Sequence, residues 1–286
     1  VTPSEEIITD NGLKSISAID VGEYVLSHTG KFCKVTNKFN RDYSGKMISI
    51  KLHKYYHNLK LTPEHPILSF KRPNKKYKKS RLWTEQNVKW IKASDLKKGD
   101  CIVIPKAKKI FDNITLNTSP LAELIGWYIA EGSPLSNHGG IEFALNAETE
   151  LPIANRLSKL LENLFSLKTN IIRKKESKGL SIYGSSWIIG ILFPKLCGEG
   201  AKNKHIPKNL LYGPLSPLSI LLDSIALGDG HITNSHIGYS TASKQLAHDL
   251  FIGLMRLGYE PSIQKSQRDI NKKQFVEYTI SYVKNK

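Results

Sequence analysis

The chain has 286 residues, more than one domain normally holds, so two domains are expected. Its 42 Lys and Arg against 25 Asp and Glu leave a formal charge of +17, which suits a polyanionic partner and makes double-stranded DNA the leading one. Three cysteines (Cys33, Cys101, Cys197) without CxxC spacing indicate neither a disulfide framework nor a zinc site. No apolar stretch reaches the length of a membrane span, and "VTPSEEIITDNG" lacks the basic and apolar regions of a signal peptide. The expectation is a soluble, intracellular protein that meets no membrane.

From Val1 onward come short runs rich in Ile, Val and Thr: "EEIITDNGLKSI", "EYVLSHTGKFCKVTNKF", "KMISIKLH", "LKLTPEHPILSF" and "DCIVIPK". Turn signals such as Asn11-Gly12 and Thr29-Gly30 separate them, which predicts an antiparallel all-β domain. The hydrophobic period changes at "KAKKIFDNITLNTSP", placing the domain boundary near residue 112, with domains 1–112 and 113–286.

Beyond the boundary one unit is used twice. A helix from Ser119 to Glu131 is followed by a strand "GIEFAL", a helix within "ETELPIANRLSKLLENLF", a hairpin across "TNIIRKKESKGLSIYGS" and a helix "SWIIGILFPKL". After "GEGAKNKHIPKNLL" come a helix from Leu215 to Asp229, a strand "HIGYSTA", a helix "SKQLAHDLFIGLMRLG" and a strand pair within "PSIQKSQRDINKKQFVEYTISYVK". The order repeats although the letters do not, which predicts an α+β domain with pseudo-twofold symmetry.

The opening helix of each unit ends in acid. "LIGWYIAEG" lays over "LDSIALGDG", pairing Glu131 with Asp229, Gly132 with Gly230, Ala130 with Gly228 and Gly126 with Ser224. Small residues four apart stack on one helical face and let two backbones approach closely. The two C-terminal ends then meet, where the helix dipoles disfavour carboxylates and two adjacent negative charges raise each other's pKa. A cation relieves that cost, and all-oxygen ligation suits Mg²⁺, so Glu131 and Asp229 are candidate metal ligands and catalytic residues for phosphodiester cleavage.

These paired motifs, their order αββαββα and the stretch "YSTASKQLAHDLFIGLMRLGY" resemble the LAGLIDADG homing endonucleases, in the form that carries two motifs in one chain. Trp127 and Tyr128 are bulkier than the motif's usual residues, and Glu131 stands where Asp is more frequent. The resemblance implies a monomer that cuts a long asymmetric DNA site with Mg²⁺. It also singles out Lys204, two residues before Ile206-Pro207, as a lysine able to orient the nucleophile or neutralise developing charge. Its symmetry mate is sought at Lys272 or Lys273.

The first half resembles the hedgehog/intein domain. "TDNGLKSISAIDVGEYV", "LTPEHPIL" and "WIKASDLKKGDCIVIP" look like its successive blocks, and the resemblance implies that Thr62 and His65 polarise a peptide bond undergoing acyl shift. The nucleophilic first residue and the terminal His-Asn that splicing needs are not within the chain. This segment is therefore expected to be part of a longer intein or a splicing domain that now serves the endonuclease.

Basic residues supply the expected DNA contacts. "KRPNKKYKKSR" contributes Lys71, Arg72, Lys75, Lys76, Lys78, Lys79 and Arg81, a run placed where some inteins extend a DNA-contacting arm. The strand pairs contribute Arg173, Lys174, Lys175, Lys265, Arg268, Lys272 and Lys273, on ribbons of a width the major groove admits. Two other functions stay open on sequence alone. One is an autoprocessing element whose terminal catalytic residues lie outside the chain; the other is a cleavage-dead DNA-binding protein such as a maturase.

Overall fold

The computed structural model describes residues 1–71, 87–108, 118–174, 178–233, 235–270 and 273–283. Of the basic run only Lys71 falls within them. Arg72, Lys75, Lys76, Lys78, Lys79 and Arg81, like Lys175 and Lys272, lie outside the described residues. The chain folds as two compact units, Val1–Lys108 and Lys109–Lys286.

Among its described residues the first unit contains strands and short 3-10 turns but no α-helix. Strands β1 (Glu6–Thr9), β2 (Gly12–Ser15), β3 (Tyr24–Leu26) and β4 (Phe32–Lys34) form a sheet of order β2-β1-β3-β4. The Asn11-Gly12 signal does close the first hairpin, with Thr9 paired to Gly12 and Gly12 at φ 98°, in the left-handed region that Gly enters without a Cβ clash. Strands β5 (Ile48–Lys51) and β6 (Asn58–Leu61) pair with each other, and β7 (Pro66–Phe70) runs between β8 (Lys89–Lys92) and β9 (Cys101–Ile102). Their apolar faces meet in a small core of Leu61, Ile67 and Ala93, covered by Ile48, Ile50, Leu59, Leu96 and Ile102.

The second unit repeats one topology. Its first half runs α1 (Thr118–Glu131), β10 (Gly132–Pro134), β11 (Gly140–Asn146), α2 (Leu151–Phe165), β12 (Thr169–Arg173), β13 (Gly179–Ser185) and α3 (Trp187–Cys197). A connector holding the single turn α4 (Lys208–Leu211) leads to α5 (Leu215–Asp229), β14 (Gly230–Ile232), β15 (His236–Thr241), α6 (Lys244–Arg256), β16 (Ser262–Ile270) and β17 (Lys273–Val283). The sheets have matching orders, β10-β11-β13-β12 and β14-β15-β17-β16, all antiparallel.

Helices α1 and α5 are apolar on nearly every side because they are enclosed, as such helices must be. Leu124, Tyr128, Leu218 and Leu221 have no exposed surface. The two helices pack along their small residues. A Cβ added at Gly126 would stand 2.6 Å from the Leu221 carbonyl oxygen and from Ser224 Cβ, and one added at Gly228 would stand 2.7 Å from Ala130 Cβ. Each sheet alternates in the expected way: Ile141, Phe143, Leu145, Leu180 and Ile182 turn inward in the first, and Ile237, Tyr239, Ile263 and Ile280 in the second. Tyr128 meets the edge of Phe193 at 5.0 Å between ring centres, joining α1 to α3.

A candidate metal-assisted site at the paired helix ends

Glu131 and Asp229 are the last residues of α1 and α5, and the close helix contact brings both to one cavity of about 320 Å³. Ala130 and Gly228 are the contact point: a Cβ on Gly228 would also lie 3.4 Å from Glu131 Cγ. Immediately after each acid the chain leaves the helix as a strand, and the glycine there allows the turn. A Cβ on Gly132 would meet Tyr128 Cα at 2.6 Å, and one on Gly230 would meet the Ala226 carbonyl oxygen at 2.2 Å. The Gly of each motif is thus the residue that lets a helix become a strand without shifting the acid.

The electrostatics follow from this placement. Glu131 is half-buried, and burial together with the charge of Asp229 pushes its carboxyl from 4.5 up to about 7. Asp229 is the more exposed residue of the two; burial still raises its carboxyl, while the Lys204 cation pulls it back down. Lys204 lines the same cavity and is only 7% exposed. Its ammonium donates to the carbonyl oxygens of Tyr128 at 2.7 Å and Gly132 at 2.8 Å, and lies 3.8 Å from the centre of the Tyr128 ring. A cation at these last carbonyls satisfies groups that the helix end leaves open and complements its dipole. Burial lowers Lys204 to about 8, against the opposing influence of Cys197 and Asp229.

The sequence therefore places Glu131, Asp229 and Lys204 together, and the structure adds Tyr128, whose backbone receives the lysine, and Ser133, Ser240 and Thr241 around the cavity. Among the described residues no group of three or more His, Cys, Asp or Glu could hold a metal ion by itself. The acidic side chains that line the cavity are the two carboxylates of Glu131 and Asp229.

Strand register sorts the remaining basic residues. Arg173 lies in the row of Leu145 and Leu180, the side of the first sheet turned toward α2, and its guanidinium donates to the Ala147 carbonyl at 3.3 Å. Lys265 shares a row with Thr241 and Tyr278, again on the helix side, although its own surface is exposed. Lys174 is exposed just beyond β12, Arg268 pairs in backbone register with Phe275, and Lys273 opens β17 opposite Ile270. The opposite face of the second sheet carries Ser240, Gln264 and Thr279 in one row and Ser266 and Glu277 in the next. A search for basic residues misses these side chains, four of them neutral and Glu277 acidic; strict alternation along β16 and β17 would have found them. In the first unit, Thr62 is 9% exposed, and the turn ending at His65 is held by the Ala93 amide, which donates to the His65 carbonyl at 2.9 Å. Burial lowers the His65 imidazole.

Two αββ repeats whose opening helices cross at small residues and end in paired acids define the second unit, and the description "LAGLIDADG-like domain" belongs to the family model that matches residues 219–285. The chain is 28% identical over 303 residues to an uncharacterised protein of Methanocaldococcus jannaschii, covering 91% of this chain and 37% of that protein. It is 26% identical to the ATP-dependent DNA helicase Hel308 of Thermococcus kodakarensis, covering 93% of this chain and 28% of the helicase. A SufBD family iron-sulfur cluster assembly protein of Mycobacterium tuberculosis matches at 25% identity over 92% of this chain and 33% of its own length. The chain thus spans about a third of the curated relatives it matches. Among solved structures, a mesophilic variant of the homing endonuclease I-DmoI aligns with 58% of this chain and 88% of its own at 14% identity and a TM-score of 0.44. The N-terminal LAGLIDADG domain of WhiA aligns with 56% of this chain and 74% of its own at 16% identity and a TM-score of 0.36. No helix of the described residues is long and apolar enough to cross a membrane.

Proposed function

We propose that the chain is an intein-derived homing endonuclease whose second unit cuts both strands of a specific DNA site by metal-dependent phosphodiester hydrolysis. The observation that carries this reading is the meeting of Glu131, Asp229 and a buried Lys204 in one cavity. Two acids held together at a cost to their own ionisation fit a divalent cation, and Mg²⁺ bound there by Glu131 and Asp229, with water and DNA phosphate completing its oxygen shell, would supply charge stabilisation at the scissile phosphate. Lys204 holds a positive charge on the α1 end of the cavity, and at about 8 it can exchange a proton near neutral pH. The neutral outer row of the second sheet offers amide and hydroxyl groups to base edges in the major groove, while exposed basic residues such as Lys174 act on phosphates.

The intein origin is supported by the distribution of the relatives. Nearly the whole chain resembles a minority segment of a helicase and of an iron-sulfur assembly protein, as one module inserted into unrelated hosts would. Incubation with a plasmid carrying the uninterrupted coding sequence of the host gene, with Mg²⁺, tests the proposal. Linearisation by the wild type, and none by Glu131→Gln or Asp229→Asn at equal DNA affinity, is the expected result. Cleavage that survives either substitution would remove these acids from the mechanism.

The turn that closes from Thr62 to His65, with the His65 amide donating to the Thr62 carbonyl at 3.1 Å and Thr62 enclosed, supports a second reading for the first unit, as a splicing domain in which Thr62 and His65 polarise the bond undergoing acyl shift. In a full-length precursor that supplies the flanking nucleophile and the terminal His-Asn, the host segments should then be ligated, and Thr62→Ala with His65→Ala should leave the precursor intact. Equal processing of both would end that reading.

A further inference from the structure

The connector that carries Lys204 has little regular structure of its own, yet Lys204 and Ile206 are almost fully enclosed. What holds it is a line of buried polar groups on α6. Ser243 donates its hydroxyl to the Lys204 carbonyl at 2.6 Å while capping α6 by accepting from the Leu246 amide. One turn and a half later Asp249 accepts the Ile206 amide at 2.9 Å, and its other oxygen accepts from Gln245 at 2.7 Å. Seven residues further on, Arg256 donates to the carbonyls of Leu211 and, at 2.8 Å, Gly213. Ser243, Asp249 and Arg256 are each 3% exposed or less. A helix interior has no need of a carboxylate, and a buried one stays only where its oxygens are matched by donors. Here one donor is the connector's backbone, two residues from the lysine.

We propose that Asp249, assisted by Ser243, is the positioning residue for Lys204: a helix of the second repeat sets the register of the connector and so delivers the ammonium to the end of α1 in the first repeat. The inference rests on the reading of Lys204 as part of an endonuclease site, but its geometry is testable apart from cleavage. Trace acetylation with acetic anhydride, followed by peptide mass spectrometry, reports the access of each lysine amine. In the wild type Lys204 is expected to be among the slowest to react. Asp249→Leu, which leaves the Ile206 amide unmatched, should raise Lys204 labelling by about tenfold relative to the exposed lysines. Asp249→Asn keeps an acceptor and should stay within about twofold of the wild type, Gln245 turning its own amide to suit. Ile141→Ala, a core truncation in the first sheet, weakens the unit without touching the connector and should not expose Lys204 selectively. Where Asp249→Leu does not fold, Ser243→Gly serves, since Gly is tolerated at the cap but has no hydroxyl for the Lys204 carbonyl. In cleavage, Asp249→Leu should lower the single-turnover rate about tenfold with DNA affinity within about twofold. Lys204 labelling that is unchanged in Asp249→Leu, or in Ser243→Gly where the former does not fold, overturns the proposal, and so does equal exposure in Asp249→Asn. Absence of cleavage by the wild type would count against the endonuclease reading alone.

Discussion

Removing the charge of Glu131 should make the protein more stable, and only at the pH where that charge exists. Burial and Asp229 hold the Glu131 carboxyl at about 7 instead of 4.5. The folded state therefore binds the proton more tightly than the unfolded chain, and stability is greatest below 4.5 and falls as pH rises through about 7. Taken at face value the displacement is worth roughly 3 kcal/mol. Glu131 is only half-buried, so screening by solvent at the cavity mouth brings this to about 2 kcal/mol. Glu131→Gln keeps the shape and drops the charge. In EDTA at pH 8 it should melt about 4–8 °C above the wild type, the conversion appropriate to a unit of this size, and at pH 4.5 the two should coincide. Calorimetry across that range is the assay. Adding Mg²⁺ at about ten times its dissociation constant should return roughly 1.4 kcal/mol to the wild type and little to the variant. A variant no more stable than the wild type at pH 8, or a Mg²⁺ effect of equal size on both, would refute the reasoning that the acids are held against their own preference for a cation.

Other substitutions address the neighbouring groups. Lys204→Ala strips the carbonyls of Tyr128 and Gly132 of their donor, and should slow single-turnover cleavage by about a hundredfold while DNA affinity changes by less than about threefold; a loss confined to affinity would make the lysine an ordinary phosphate contact. Gly228→Ala forces α5 off Ala130 and should cost about 1–3 kcal/mol in urea unfolding together with cleavage, whereas unchanged stability would mean that the helix crossing is looser than 2.7 Å implies. Gln264→Ala should relax sequence preference at one or two positions of the target with little change in salt dependence, as read from a cleavage profile on a randomised site. Replacing 71–81 by Gly and Ser should flatten the slope of log K against log salt by about two to four and weaken binding to all sequences alike; an unchanged slope would leave DNA contacts to the second unit.

Much of this was already present in the one-dimensional pattern, because secondary structure in the second unit is written in local periodicity. The helix ending at Asp229 runs from Leu215 as its apolar period demands, and β11, α2 and α6 fall within a few residues of their expected bounds. The pairing of Glu131 with Asp229 was also legible, since Gly126, Ala130, Ser224 and Gly228 state where two backbones can touch. Short strands β10 and β14 were not, being three residues each and formed by ladder bonds to β11 and β15 rather than by propensity. Nor could the sequence say which way a strand residue points at the end of a ribbon: only register places Arg173 and Lys265, both expected DNA contacts, in the rows of Leu180 and Tyr278. Lys204 shows the division most clearly. Its place before Ile206-Pro207 marked it as a candidate, but a lysine in a basic connector has no local reason to be buried. Only the tertiary fold, by setting Ser243 and Asp249 on one side of the connector and the open carbonyls of α1 on the other, supplies the partners that make burial of its charge affordable.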